Sequence, residues 1–176
     1  MTKDKKKVIL TGYRATGKST VGRILADKLG WLFMDTDREI EKREGCSIAQ
    51  MVAEQGWDFF RGLERDILLE LVPVQNIVIA CGGGAILHKD AWETLKAVSL
   101  VVWLTADPET ICQRLAADSR TADQRPALTD SDIFNEVREV LAQRQPLYRQ
   151  GSHLEIATTI PAAEIADQIA AELAAS

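Results

Sequence analysis

The sequence contains few of the side chains that form disulfide bonds or structural metal sites. Its three cysteines, Cys46, Cys81 and Cys112, are widely spaced and form no C-x-x-C pair, so neither a disulfide framework nor a structural zinc site is indicated. Three reduced thiols are typical of a cytoplasmic protein. The two histidines, His88 and His153, have no ligand-spaced partners, and we expect neither to bind a metal.

Long apolar segments are also missing. No stretch approaches the roughly 20 apolar residues that cross a bilayer. Gly12, Arg14 and Lys18 interrupt the N-terminal segment where a signal peptide needs a continuous apolar region. We therefore expect a protein that is neither exported nor bound in a membrane. The net charge of −5 gives no support to nucleic-acid binding, so a small anion would have to bind a local cluster of positive groups.

The composition is typical of a single globular domain. The chain has 176 residues, of which 46% are hydrophobic, enough to bury one core, and we predict one domain over residues 1–176. The one basic run, Lys3 with Lys5 to Lys7, precedes the first apolar residues. We predict that this run is a solvated terminal arm.

Short β-branched runs alternate with longer segments of helical periodicity, which predicts an α/β fold. Five strands separated by helices imply a parallel sheet with right-handed crossovers, whose ligands bind at the carboxyl ends of the strands. The predicted strands are Lys7 to Thr11, Leu32 to Met34, Asn76 to Cys81, Ser99 to Leu104 and Leu154 to Ala157.

Several helix boundaries can be predicted from capping residues. Gly30 ends the first helix, Ser47 with Gln50 forms a capping box, and Asp107-Pro108 begins a later helix. Long helices are predicted for Trp57 to Val72 and for about Ser131 to Tyr148. Between residues 118 and 130 the apolar periodicity lapses, which predicts an exposed, mobile loop and a candidate lid.

The segment from Gly12 to Ser19 matches the phosphate-binding pattern G-x-x-x-x-G-K-[ST]. It lies between a predicted strand and a predicted helix, the context that this pattern requires. The glycines let backbone N–H groups point inward at a polyphosphate, and the helix N-terminus adds positive potential. We expect Lys18 to lie along the β- and γ-phosphates of ATP and the Ser19 hydroxyl to bind Mg²⁺. The alternative is a glycine turn that only caps a helix.

Many proteins with this phosphate loop end a second apolar strand with an Asp that supports Mg²⁺. That carboxylate is missing here, because the strand Ile77 to Ala80 is followed by Cys81 and glycines. Asp35 and Asp37 could replace it. In an extended segment, residues two apart point to the same face, so both carboxylates could reach one cavity. Asp35 would support Mg²⁺ through water and Asp37 would take the acceptor's proton; alternatively, either residue only caps the next helix.

Three further motifs are candidates for acceptor binding. Gly82, Gly83 and Gly84 would let a substrate lie against bare backbone, or form only a flexible turn. Arg61 could project into the site or pair on the surface with Glu64. Trp57 and Phe60 could form an apolar wall, although helical spacing favours core positions.

Two arginines outside that helix are also candidates. Arg125, in the predicted lid, could neutralise charge that develops on the phosphates, or could be solvated. Arg144, near a helix end, could be solvated or could converge with Arg61 on a carboxylate.

In order and over nearly the whole chain, these motifs resemble those of shikimate kinase. The resemblance implies a P-loop, nucleoside-monophosphate-kinase-like, three-layer fold with a five-stranded parallel sheet. It also implies transfer of the ATP γ-phosphoryl group to the 3-hydroxyl of shikimate, with Mg²⁺, in the biosynthesis of aromatic amino acids. Among the implied roles, Lys18, Asp37 and Arg125 are catalytic, and Ser19 and Asp35 are on the metal side.

The resemblance assigns the other site residues as well. Substrate contacts fall on Asp37, Arg61, Gly82, Gly83, Gly84 and Arg144, and nucleotide contacts on Gly12, Ala15, Thr16, Gly17, Lys18, Ser19, Thr20, Arg114 and Arg125. Two departures stand out: Ala15 occupies a position that is often glycine, so the loop must tolerate a β-carbon there, and Ala127 interrupts the usual R-P-L of the lid. We expect a monomer with no nucleic-acid or membrane partner. The rival hypotheses are a related small-molecule kinase, such as a gluconate kinase, and a non-catalytic nucleotide or metabolite sensor.

Overall fold

The structure is a computed structural model that describes residues 5–118 and 132–175. The predicted lid therefore lies outside the described residues except for Asp118, and so do Arg125 and Ala127.

Within the described residues, the chain forms one parallel sheet of five strands in the order β2-β3-β1-β4-β5. The strands are β1 (Lys7–Thr11), β2 (Leu32–Asp35), β3 (Ile77–Ala80), β4 (Leu100–Thr105) and β5 (Leu154–Ala157). The predicted α/β class, the parallel sheet and all five strands are confirmed. The strand between β1 and β2 in space is β3, so the loops that follow these three strands lie side by side at one edge of the sheet.

Eight helices and a short 3₁₀ helix connect the strands in the described part of the chain. They are α1 (Lys18–Leu29), α2 (Thr36–Glu44), α3 (Ile48–Gln55), α4 (Trp57–Glu70), α5 (Lys89–Ala97), α6 (Pro108–Ala117), α7 (Ile133–Gly151) and α8 (Ala162–Ala175), and the 3₁₀ helix is Ala85–Leu87. No helix among these is both long and apolar enough to span a bilayer.

The helices cover both faces of the sheet and so give three layers. Val8 and Leu10 of β1 pack on the face covered by α1 and α8, whereas Ile9 packs on the opposite face with residues of α2 to α5 and Tyr148 of α7. Alternate side chains of a strand point to opposite faces, and both faces here are buried. This explains why the three central residues of β1 are all apolar.

The prediction that Lys7 belongs to a solvated arm is wrong. Lys7 is the first residue of β1 and its side chain is buried. Its Nζ donates to the carbonyl oxygens of Leu71 and Val72 at 2.6 Å each, where α4 ends. A buried ammonium needs such acceptors, and these carbonyls belong to the two residues that follow the last residue of α4. Lys7 therefore joins the start of the sheet to the end of α4.

The helix predicted for about Ser131 to Tyr148 begins and ends slightly later. Asp132 caps α7, since its Oδ1 accepts from the backbone N–H groups of Phe134 and Asn135 at 3.1 Å. The helix continues past Pro146 to Gly151. The indole N–H of Trp92 donates to the Gly151 carbonyl at 2.9 Å, which satisfies an oxygen at the helix end.

Candidate active site

The phosphate-binding motif forms the connection between β1 and α1, as predicted. Gly12 has φ 136° and Gly17 has φ 92°, values that favour glycine. A β-carbon at Gly12 would also collide with the carbonyl oxygen of Leu104. The loop therefore depends on glycine at both ends, and it leads into the N-terminus of α1, where backbone N–H groups lack partners within the helix.

Ala15 lies inside this loop with φ 61°. This is the left-handed region, which a residue with a β-carbon adopts at a cost of roughly 1 to 2 kcal/mol. The loop therefore does accommodate a β-carbon at this position, as expected, but in a backbone conformation that glycine would adopt more easily.

Lys18 is buried, and its ammonium group lies across the loop. Its Nζ donates to the carbonyl oxygens of Gly12 at 2.8 Å and Tyr13 at 2.6 Å, and the Thr16 hydroxyl also donates to Tyr13 O at 2.8 Å. These bonds fold the loop around the lysine. The Lys18 charge thus lies in the same concave surface as the N–H groups of the loop.

Ser19 and Asp35 meet at the end of β2. The Ser19 hydroxyl donates to Asp35 Oδ2 at 2.5 Å, and Asp35 Oδ1 accepts from the backbone N–H of Arg38 at 3.2 Å. Asp35 therefore caps α2 with one oxygen, as one of the two alternatives predicted, and contacts Ser19 with the other. A serine hydroxyl beside a carboxylate, with space for water, suits Mg²⁺, which binds through a few oxygen ligands and keeps several waters.

Asp37 lies in the first turn of α2, not in an extended segment, so the premise of the two-residue spacing argument is wrong. Because α2 begins at Thr36, immediately after β2, both Asp35 and Asp37 nevertheless line the cavity beside the phosphate loop. Asp37 is 8% exposed. The turn into the helix, and not strand alternation, brings the two carboxylates to one place.

The glycine triplet follows β3 and lies against Asp37. The N–H of Gly82 donates to the Thr36 hydroxyl at 3.1 Å, and the Gly83 carbonyl accepts from the Tyr148 hydroxyl at 2.5 Å. The triplet is therefore held on both sides and is not merely a flexible turn. Gly84 packs directly against the Arg61 guanidinium, which would have to move to admit a β-carbon.

Arg61 projects into the site, one of the two placements considered for it, and also pairs with Glu64. It lines the cavity, and its Nη1 also bonds Glu64 Oε2 at 2.6 Å. Glu64 is buried, however, so the pair is not on the surface. His88 Nε2 lies 2.9 Å from the same Glu64 oxygen. The buried Glu64 carboxylate thus orients the Arg61 guanidinium, which lines the cavity.

Arg144 reaches the same cavity from α7. Its Nη1 lies 3.5 Å from the point where a β-carbon on Gly83 would be. Below it, Tyr148 stacks on Trp103 with ring centroids 5.8 Å apart, and burial raises the pKa of Tyr148 to about 12. Tyr148 therefore remains a neutral hydrogen-bond donor to the glycine triplet at physiological pH.

Two adjoining cavities result. The first, termed here the acceptor cavity, is lined by Tyr13, Arg14, Asp37, Ile48, Trp57, Phe60, Arg61, Glu64, Gly82, Gly83, Gly84 and Arg144. The second, the nucleotide cavity, includes Ala15, Gly17, Lys18, Ser19, Thr20 and Asp35. Five residues border both: Arg14, Asp37, Ile48, Gly82 and Gly83. Phe60 is a core residue and Trp57 packs against the core, and both line the acceptor cavity.

Arg114 lies on the other side of the phosphate loop. Its Nη1 donates to the Ala15 carbonyl and to the Thr158 hydroxyl at 3.1 Å, and its Nη2 donates to Thr158 O at 3.2 Å. These bonds tie α6 to the phosphate loop and to the loop after β5.

The family model for shikimate kinase matches residues 14–174, which is most of the chain. The chain belongs to the shikimate kinase family. The resemblance inferred from the motifs is thereby confirmed.

Relatives within the shikimate kinase family match over nearly their full length. The shikimate kinase of Nitratidesulfovibrio vulgaris is 41% identical over 170 residues, with 97% of each chain covered. That of Syntrophus aciditrophicus is 43% identical, with 94% of this chain and 90% of the relative covered.

Solved structures agree with the fold. A shikimate kinase from Acinetobacter baumannii, solved in complex with shikimate, superposes with a TM-score of 0.88 at 35% identity, over 97% of this chain and 93% of that one. A gluconokinase from Sinorhizobium meliloti has a TM-score of 0.58 at 17% identity over 98% of this chain and 93% of that one, a likeness that shows the fold alone. The predicted nucleoside-monophosphate-kinase-like fold is confirmed.

Some residues of the site were not identified from the sequence. His88 was considered only as a metal ligand, and its contact with the buried Glu64 was not foreseen. Arg14 forms a buried ion pair with Glu136 of α7, a contact across 122 positions of the chain. Local patterns carry no signal for such distant pairs, because they depend on how the helices dock.

Proposed function

We propose that this protein transfers the γ-phosphoryl group of ATP to the 3-hydroxyl of shikimate, giving shikimate 3-phosphate and ADP. One observation carries the proposal: Asp37, Arg61, Arg144 and the glycine triplet line a single cavity whose wall is shared with the phosphate loop. The relatives that match nearly the whole chain are shikimate kinases, and the A. baumannii relative was solved in complex with shikimate, which supports the choice of shikimate as acceptor.

The nucleotide phosphates would bind the backbone N–H groups of the phosphate loop and the Lys18 ammonium. Ser19 and Asp35 would hold Mg²⁺, which when bound neutralises phosphate charge. Arg114 would help to keep the loop in place near the nucleotide base. Arg125, which lies outside the described residues, is proposed from the family resemblance to neutralise charge on the transferred group.

The acceptor would bind as a carboxylate and a set of hydroxyls. Arg61 and Arg144 come from different helices, α4 and α7, and both present guanidinium groups to one cavity. Two such forks suit one carboxylate. This arrangement would aim the opposite side of a small ring at Asp37, which borders both cavities and would accept the hydroxyl proton as the phosphoryl group arrives.

Local electrostatics explain how an acidic protein could bind an acid. The net charge is −5, yet Arg14, Lys18, Arg61 and Arg144 all face the two cavities. Buried carboxylates offset part of this charge, since Glu64 pairs with Arg61 and Glu136 with Arg14. A local positive cluster therefore replaces bulk electrostatic attraction.

The proposal is tested by coupled measurement of ADP formation with a panel of hydroxy acids. Turnover should depend on shikimate, whereas equal or faster turnover with gluconate would favour the gluconate kinase rival. Product formation by the purified protein alone would exclude a purely regulatory sensor.

The role of Asp37 is tested by Asp37→Asn. We expect kcat to fall by about 10² to 10⁴, the usual range for a lost general base, while ATP affinity changes by less than about twofold because the phosphate loop is intact. Asp27→Asn, on the exposed face of α1, is the matched control and should leave kcat unchanged. Wild-type kcat in Asp37→Asn would remove Asp37 from its proposed role.

We also propose that residues 1–176 act as one kinase domain and as a cytoplasmic monomer. The three cysteines are free thiols, which suits a reducing compartment. Sedimentation at increasing concentration tests the monomer, and a dimer mass would contradict it.

A further inference from the structure

Arg14 occupies one of the variable positions of the phosphate loop, yet its side chain lies at the centre of the site. It borders both the acceptor cavity and the nucleotide cavity. The side chain is only 10% exposed, and within the described part of the chain its buried Nε has no hydrogen-bond partner. A guanidinium in such a position needs a nearby anion.

That anion is Glu136, in the first turn of α7. Its side chain is 2% exposed and contacts Arg14 Nη2. A carboxylate is favoured near a helix N-terminus, and here it faces the phosphate loop across 122 positions of sequence. Removal of either partner would leave the other charge buried without this counter-ion, which is strongly unfavourable. The pair therefore binds the start of α7 to the phosphate loop.

The far end of α7 is bound to the other glycine-rich loop. Tyr148 donates to the Gly83 carbonyl at 2.5 Å, about 18 Å along the helix from Glu136 at 1.5 Å per residue. Arg144 lies between these two attachments and lines the acceptor cavity. The helix that carries Arg144 is thus anchored to the phosphate loop at one end and to the glycine triplet at the other.

We propose that Arg14 and Glu136 form a positioning pair that holds α7 against the phosphate loop and thereby sets the distance from Arg144 to the transferred phosphoryl group. Arg14 then acts on acceptor binding through Arg144. The inference rests on the proposed function, because Arg144 is taken to hold the acceptor's carboxylate. It assigns a role to Glu136, which lies outside the motifs that suggested that function, and to Arg14, at a position of the phosphate loop that the motif leaves open.

A purely structural ion pair would have different consequences. The apolar cluster of Tyr13, Ile111, Leu115, Val137 and Leu141 already packs α6, α7 and the phosphate loop together. The ion pair is therefore not needed merely to keep α7 folded. The Lys18 ammonium bonds the loop's own carbonyl oxygens, those of Gly12 and Tyr13, so we expect nucleotide binding to survive the loss of Glu136.

The test compares Arg14→Met, Glu136→Gln and the double variant with the wild-type chain. In each single variant we expect KM for shikimate to rise about tenfold, equivalent to about 1.4 kcal/mol, with KM for ATP and kcat changed by less than about threefold. The double variant should be no worse than the poorer single variant, since partners in contact are not additive. Lys28→Met is the matched control, because it breaks an exposed ion pair with Asp167 between α1 and α8, and it should leave both KM values unchanged.

Arg14→Lys provides a second variant that keeps the charge and loses the fork, and its KM for shikimate should lie between those of wild type and Arg14→Met. Unchanged KM for shikimate in both single variants would overturn the inference. A lower unfolding temperature with both KM values unchanged would also overturn it, and so would a rise in KM for ATP alone.

If the wild type phosphorylates another hydroxy acid and not shikimate, the shikimate assignment fails. The same comparison of variants with that acid then still tests the ion pair. No turnover with any acid would overturn both proposals.

Discussion

Gly82 lies against two carboxylates of the acceptor cavity, those of Asp37 and Glu64. An alanine at this position should therefore slow phosphoryl transfer strongly without changing ATP binding. A β-carbon at Gly82 would lie 2.5 Å from Asp37 Oδ1 and 2.8 Å from Glu64 Oε1, whereas ordinary contact begins at 3.4 Å. Gly82 is not among the glycines with positive φ, so its backbone conformation suits alanine. The expected effect is therefore steric.

The size of the effect follows from these distances. Asp37 and Glu64 would have to move away by about 0.5 to 1 Å, and displacement of a catalytic group by 1 Å can cost about 10²-fold in rate. The backbone cannot easily retreat, because the Gly82 N–H is bonded to the Thr36 hydroxyl at 3.1 Å. We expect kcat/KM for shikimate to fall about 10²-fold, and the crowding to lower the free energy of unfolding by about 1 to 3 kcal/mol.

Gly83→Ala is the comparison variant. The nearest atoms to a β-carbon there are Arg144 Nη1 and the Gly12 carbonyl oxygen, each at 3.5 Å, so no described atom has to move. We expect an unfolding temperature equal to that of wild type, with a higher KM for shikimate if the acceptor lies against Gly83. Steady-state kinetics with each substrate varied, together with thermal unfolding, provide the measurements. Wild-type kcat/KM for Gly82→Ala, or a larger loss of stability for Gly83→Ala, would refute the steric reasoning.

Two further predictions concern stability. Burial lowers the pKa of Lys7 from 10.5 to about 8, so between these pH values the unfolded chain binds more protons and the free energy of unfolding should rise with pH. Lys7→Met should remove this contribution, and identical slopes in urea unfolding from pH 8 to 10 would contradict it. Ala15→Gly should relieve the left-handed conformation at φ 61° and raise the unfolding temperature by at most about 2 to 4 °C, partly offset by the entropy of glycine in the unfolded chain. A lower unfolding temperature would count against it.

Local pattern was sufficient for the fold and for the phosphate loop. The strand β1 could be predicted because both faces of the sheet are covered, which makes its three central residues, Val8 to Leu10, apolar. The phosphate loop could be predicted because its glycines, Lys18 and Ser19 are adjacent in the chain. Capping residues such as Asp107 mark a helix start through a bond to the N–H of Thr110 at 2.7 Å. The phosphate loop and the caps depend on contacts within a few residues, and the burial of β1 is visible as a short apolar run in the chain.

The acceptor side depended on tertiary structure. Whether Arg61 lies on the surface or in a cavity was open in the sequence, and the burial of its partner Glu64 decided the matter. The same holds for Lys7, whose environment is the end of α4, and for Arg14, whose partner lies on α7. The amino-acid sequence by itself determined which chemical groups the protein has and how the chain near each of them folds. Which charges face each other was decided only by the docking of helices, because burial and pairing arise between segments far apart in the chain.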